Sequence, residues 1–149
     1  MDVTQLLNKK SVIIGLDVGT KTVGIAVSDR RLKIASGIKT LLLKNTEKDL
    51  ENLIGILNNY DVGAIVFGWP VQMNGIAGEQ CKKVEEFIDE LKNHISTKFI
   101  KWDERFSTRV VDNIMILADL SRRRRKEVID KTAAVYILQG ALDYLSMRK

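Results

Sequence analysis

The chain is poor in the residues that build covalent or zinc-clipped frameworks: among 149 residues there is one cysteine, Cys81, and one histidine, His94. A single cysteine excludes an internal disulfide, and one Cys with one His supplies too few donors for a Cys/His zinc site within one chain. Cys81 lies in a helical pattern and His94 at its polar end, so a structural role is the simpler reading of both. Proline is as scarce, Pro70 alone, and with only ten glycines there is little room for disordered linkers. No apolar run approaches the roughly 20 residues of a membrane-spanning helix. Residues 1–10 lack both a cationic start with an apolar stretch behind it and an Arg-rich amphipathic pattern. These absences lead us to expect a cytoplasmic protein with no membrane association, folded as one domain over residues 1–149, a length that buries a continuous core but not two full lobes.

What is present is organised around residues 12–29, VIIGLDVGTKTVGIAVSD. An apolar run at 12–16 ends in the carboxylate of Asp17, and a second run at 23–27 ends in Ser28 and Asp29. The short link between them contains Gly19, which can take φ > 0, so the two runs read as a hairpin. An acid where a buried strand meets a tight turn is costly to desolvate unless a cation meets it, and a metal ion is one such cation. Asp also forms turns by accepting hydrogen bonds from the backbone just after itself, and this stretch alone leaves both roles open. The same order of strand, Asp and Gly also opens the phosphate-binding hairpin of actin-like and sugar-kinase ATPases.

Residues 34–43 read as a third strand. A helix follows, with Thr46 as cap, acids in its first turn, and Leu50, Leu53, Ile54 and Leu57 as its apolar stripe. The nearly continuous apolar run at 62–67 is the pattern of a strand covered on both faces. It leads into a glycine-rich loop over 68–78 that is a candidate wall of a site, where Trp69 either stacks on a base or covers the sheet edge. Residues 79–91 form an amphipathic helix and residues 98–103 a strand closing with Asp103, Glu104 and Arg105. A helix from Ser107 to Leu120 comes next, then a run of cations. A final long helix buries Val128, Ile129, Ala133, Tyr136, Ile137, Ala141, Tyr144 and Leu145. Tight turns make neighbouring strands antiparallel and helical crossovers make them parallel, so a mixed five-stranded sheet with helices on both faces is expected. That is the architecture of the ribonuclease H-like α/β fold, and a generic three-layer α/β domain shows the same order.

The net charge of +5 and the isoelectric point near 9.4 suggest an anionic partner. The charge is concentrated in Arg122-Arg123-Arg124-Arg125-Lys126, a run whose mutual repulsion phosphates would relieve, although such runs are often only solvated segments. Acids from separate places should meet at one sheet end: Asp17 after the first strand, Asp103 and Glu104 after the last, and Asp130 early on the final helix. Phosphodiester hydrolysis with Mg²⁺ needs a small set of hard oxygen ligands with open positions, typically around two ions roughly 3.5–4 Å apart. The later acids have plainer alternatives: Asp103 or Glu104 in a salt bridge to Arg105, and Asp130 in one to Lys126 or Lys131 across helix turns.

Four segments together resemble the YqgF/RuvX family: GLDVGTKTVGIAVSD at 15–29, FGWPVQMNGIAG at 67–78, WDERFST at 102–108 and SRRRRKEVIDKTAAVYILQGALD at 121–143. The resemblance covers almost the whole chain and implies a ribonuclease H-like nuclease. It implies Asp17, the acid of the Asp-Glu-Arg segment and Asp130 as catalytic ligands of Mg²⁺ or Mn²⁺, with two ions expected. Glu104 is preferred to Asp103 for its longer reach. Lys21, Arg105, Arg122, Arg123, Arg124, Arg125 and Lys126 are the expected nucleic-acid contacts. Trp69 and Thr22 depart from the family pattern, which usually has a smaller aliphatic residue and an Arg there; the first bears on groove shape and the second removes a phosphate contact.

Three functions fit these residues. The resemblance favours hydrolysis at the 5′ end of precursor 16S rRNA in ribosome biogenesis, with a ribosomal particle as a further partner. The alternatives are a Holliday junction resolvase acting on branched DNA, and a non-catalytic nucleic-acid binder. Monomer and homodimer both remain open, the junction reading requiring two symmetric cuts. An actin-like ATPase is disfavoured, because nucleotide there lies between two lobes.

Overall fold

The computed structural model describes residues 11–44, 47–70, 78–103 and 122–147, with side chains except at 103, 122–132 and 146–147. The elements in chain order are β1 (Val12–Val18), β2 (Thr22–Ser28), β3 (Ala35–Leu42), α1 (Glu47–Leu57), β4 (Val62–Trp69), α2 (Glu79–Lys92), β5 (Lys98–Asp103) and α3 (Arg122–Met147). The strands form one sheet in the order β3-β2-β1-β4-β5. Its β1–β2 and β2–β3 pairs are antiparallel, and its β1–β4 and β4–β5 pairs are parallel. The mixed five-stranded sheet is therefore present, with tight turns and crossovers giving the strand directions expected of them.

Side-chain alternation divides the core between the two faces. Ile14, Leu16, Val23, Ile25, Ile65 and Phe67 pack with Leu53 and Leu57 of α1 and with Val84, Ile88 and Leu91 of α2. On the other face Ile13, Ala26, Ala64 and Val66 pack with Ala134, Ile137, Leu138, Ala141 and Leu142 of α3. The approach of α3 is close because Gly15 has no side chain: a Cβ there would lie 2.7 Å from Leu138 Cβ and 3.0 Å from the Ala134 carbonyl oxygen. The buried stripe of α3 includes the expected Ala133, Ile137 and Ala141 but is broader than expected on one side and ends short of Tyr144. Ala134, Leu138 and Leu142 are buried, whereas Tyr144 is 45% exposed and meets Trp102 edge-on at 6.1 Å between centroids. The contact at Gly15 turns the 134/138 side of the helix toward the sheet, which leaves Tyr144 on the flank.

The two hairpin turns close in different ways, the first of them departing from the expected positive φ at Gly19. Gly19 closes the β1–β2 hairpin, its N–H donating to the Thr22 carbonyl at 2.7 Å, but it does not use positive φ. Glycine supplies space instead, since a Cβ would sit 3.2 Å from that carbonyl oxygen. In the β2–β3 turn the left-handed residue is Leu32, with φ of 58°, and its side chain is buried. A non-glycine residue in this region costs about 1–2 kcal/mol, which burial of a Leu side chain, about 1.5–3 kcal/mol, offsets.

The same turn is held by Asp29 Oδ1, which accepts the N–H groups of Lys33 at 2.8 Å and Ile34 at 3.0 Å. Burial works against the ionised form of Asp29, but backbone hydrogen bonds from Ile34, Lys33 and Arg31 outweigh it and hold the carboxyl below its ordinary range. In α1 the acid that matters is Asp49, a buried residue whose two carboxylate oxygens both accept the Lys44 N–H at 3.0 Å. It ties the chain entering the helix as well as complementing the dipole. The expected Thr46 cap, the 107–120 helix and the central part of the 68–78 loop lie outside the described residues.

Candidate functional site

Because β1, β4 and β5 are parallel, their carboxyl ends lie at one edge of the sheet, where β1 carries Asp17 and β5 ends at Asp103. Leu16 pairs with Phe67 and Phe67 with Lys101. One residue further along, Asp17, Gly68 and Trp102 therefore form the next row, with Gly24 opposite Asp17 on β2. Strands are about 4.8 Å apart, so Asp17 and Trp102 are separated by roughly 10 Å of backbone.

Asp17 belongs to the α3 face. Ile13 packs into the cluster that includes α3, Gly15 is pressed against Leu138, and alternate strand residues share a face. Asp17 is half-buried and its strand neighbours on both sides, Gly24 and Gly68, are buried glycines with no side chain to crowd its carboxylate. Neither glycine stands out in the sequence as part of a site. The hairpin register points to Gly24, but Gly68 becomes a neighbour only through the parallel β1–β4 pairing, which no local pattern announces.

The helix that crosses Gly15 carries two of the other expected groups. Asp130 is one helical turn before Ala134, the residue whose carbonyl approaches Gly15. Arg122, Arg123, Arg124, Arg125 and Lys126 are the first five residues of α3, so the basic run is part of the helix and does not precede it. No acid accompanies it in the first turn. Lys21 is exposed at the tip of the β1–β2 hairpin, a few residues from Asp17. Gln80 of α2 reaches the same end, its Nε2 donating to the Val18 carbonyl at 3.3 Å.

Glu104 and Arg105 lie outside the described residues. On β5, Ile100 and Trp102 pack on α3's side and Phe99 on the other, so Asp17's side corresponds to the even-numbered positions. Trp69 sits in the α1/α2 cluster with Lys101 Nζ 4.1 Å from its ring centroid. It thus packs on the face opposite Asp17, where it covers part of the sheet. Among the described residues no group of three His, Cys, Asp or Glu is assembled; two of the three expected ligands, Glu104 and Asp130, fall where side chains are not described.

A family profile described as RuvX, Holliday junction resolvase, matches residues 11–144. The chain belongs to the RuvX family. Relatives named "Putative pre-16S rRNA nuclease" share this span. The protein from Clostridium tetani is 47% identical over 131 residues, covering 88% of this chain and 95% of the relative. That from Clostridium botulinum strain Hall is 48% identical over 134 residues, covering 90% and 98%. Among solved structures, Thermus thermophilus RuvC matches with a TM-score of 0.56 at 11% identity, over 92% of this chain and 96% of that one. RuvC of the same organism in complex with a Holliday junction substrate matches with a TM-score of 0.54 at 16% identity over the same shares. At such identities the likeness shows the fold, and the fold of this RuvX-family chain is the ribonuclease H-like one.

Proposed function

We propose that this RuvX-family protein is a divalent-metal-dependent nuclease that hydrolyses phosphodiester bonds at the 5′ end of precursor 16S rRNA. The observation that carries the reading is the position of Asp17. It is a carboxylate at the carboxyl end of a central strand, between two glycines, on the face crossed by a helix whose sequence holds Asp130 and five consecutive cations. The relatives' name supplies the substrate class.

The donor chemistry fits a hard cation. Asp17, Glu104 and Asp130 would hold Mg²⁺ or Mn²⁺, expected as two ions, through oxygen ligands, and the glycines beside Asp17 leave room for substrate oxygens. Bound ions of this kind activate water and stabilise the departing oxygen. Glu104 is preferred over Asp103 as the ligand of the Asp-Glu-Arg segment for its longer reach. The protein's other residues bind and orient. Cations in the first turns of a helix oppose its dipole, each by about 0.3–1 kcal/mol, and phosphate oxygens at that end would reverse the sign of the interaction. Arg122–Lys126, with Lys21 and Arg105, are accordingly assigned to the nucleic-acid backbone, the planar guanidinium matching phosphate oxygens.

A cytoplasmic location, with a ribosomal particle as partner, follows from the same reading. Resolution of Holliday junctions is the second reading, favoured by the description of the family; it calls for a homodimer, whereas rRNA trimming is open to a monomer. Purified protein incubated with precursor 16S rRNA and, separately, with a four-way DNA junction, each with Mg²⁺, Mn²⁺ or chelator, distinguishes them. Metal-dependent cutting of the RNA with an intact junction is the expected result. Symmetric cutting of the junction with intact RNA would replace the first reading by the second.

A further inference from the structure

Far from Asp17, at the opposite end of β2, the β2–β3 turn presents Arg30, Arg31 and Lys33, all exposed. Among the described residues none of these three side chains is engaged in an ion pair or hydrogen bond. Three neighbouring cations on a loosely held loop would be ordinary surface, but this loop is locked. Leu32, between them, is buried with its backbone in the left-handed region. Asp29 Oδ1 accepts the Lys33 and Ile34 N–H groups, so this adjacent acid holds the turn's backbone, and its single negative charge leaves the turn net positive.

The second lock comes from α3. Gln139 Oε1 accepts the Ala35 N–H at 2.9 Å, and its Nε2 donates to the Lys33 carbonyl at 2.8 Å and to Asp143 Oδ1 at 3.0 Å. The turn is therefore fixed to the helix that begins with the basic run. From Arg124 to Gln139 is about 22 Å along the helix axis at roughly 1.5 Å per residue. Phosphates on one strand of B-form DNA are about 3.4 Å apart along the axis and those of A-form RNA are closer, so two cationic sites at this separation are spanned by at least about six base pairs. Asp143, like Asp29, is engaged within the lock, through Gln139.

We infer that the Arg30, Arg31 and Lys33 turn is a second contact for the phosphate backbone, holding a nucleic-acid duplex beyond the cleavage site at the other end of the sheet. The inference rests on the nuclease reading above and adds the length of substrate the protein grips. The turn sets no sequence preference, because its cations meet phosphates and not base edges. It makes affinity depend on the length of the helical stem.

The test compares the full chain with the variant Arg30→Ala, Arg31→Ala, Lys33→Ala in binding titrations at several salt concentrations. The probes are two RNA hairpins, one with a stem of about 4 base pairs, too short to span both sites, and one of about 16. The variant should bind the long stem at least about tenfold more weakly at low salt, with the log–log salt slope reduced by about 0.7–0.9 for each phosphate neutralised by the turn. Short-stem binding should be unchanged, and the conservative variant Arg30→Lys, Arg31→Lys, Lys33→Arg should bind both as wild type does. Arg31→Ala alone, which leaves Leu32 and Asp29 in place, gives the same pattern with the slope change of about one phosphate if the triple variant does not fold. Wild-type affinity and slope on the long stem, or equal weakening on both stems, overturn the inference while leaving the nuclease reading intact. Failure of the wild-type protein to bind either stem overturns both.

Discussion

Two aspartates on one hairpin show how differently the same side chain is used. Asp17 stands between glycines at a sheet end, and Asp29 is committed to its own turn. Because the folded carboxyl of Asp29 lies below its ordinary range, its stabilisation is complete above the unfolded pKa, about 3.9, and disappears as pH falls through the lower folded value. Asp29→Asn should therefore cost roughly 0.5–1 kcal/mol at neutral pH, a modest figure because the group is exposed. The difference from wild type should shrink below about pH 4, as read by urea unfolding across a pH series. A difference that stays constant into acid would assign the effect to shape alone. In the Asp103-Glu104 pair, Glu104→Gln should reduce cleavage at least about 100-fold while Asp103→Asn retains most activity, since an amide is a poor ligand for a hard cation. The reverse ranking in single-turnover assays would make Asp103 the ligand.

At the scale of elements, the contact between β1 and α3 couples fold to site. Gly15→Ala would bring a methyl to 2.7 Å from Leu138 Cβ and 3.0 Å from the Ala134 carbonyl, so helix or strand must shift. The expected cost is about 1–3 kcal/mol, measured by denaturant unfolding. Cleavage should fall further than stability explains, because α3 also carries Asp130. Leu138→Ala should not rescue the variant, as the clash is with Cβ and the backbone, both of which Ala retains. Full activity in a folded Gly15→Ala protein would show that the site tolerates displacement of α3. The strands are legible in the sequence through their apolar runs and turns, and Asp17 through the abrupt end of one run. That Ala134 and Leu138 face the sheet is not, because α3 has apolar residues on adjoining flanks and only the close approach at Gly15 fixes its rotation.

For the whole molecule, what escapes the sequence is non-local. Gly68 becomes a neighbour of Asp17 only when β4 docks beside β1, and Gln139 locks the β2–β3 turn across a separation of 106 positions. The basic run is legible as a charge pattern, but its place inside α3 is not. If Arg122–Lys126 hold the phosphate backbone, Arg123→Ala with Arg124→Ala should weaken binding to all sequences alike. The log–log salt slope should fall by about 0.7–0.9 per phosphate no longer neutralised. Cleavage of substrate already bound should survive, and an unchanged slope with wild-type affinity would remove the contact role. The most direct test of metal-dependent cleavage at Asp17 is single-turnover cutting of precursor 16S rRNA by wild type and Asp17→Asn over a Mg²⁺ and Mn²⁺ titration, with thermal unfolding of both proteins measured alongside. The expected result is a folded Asp17→Asn protein that binds RNA and does not cut it at any metal concentration; cutting at the wild-type rate would contradict the proposed role.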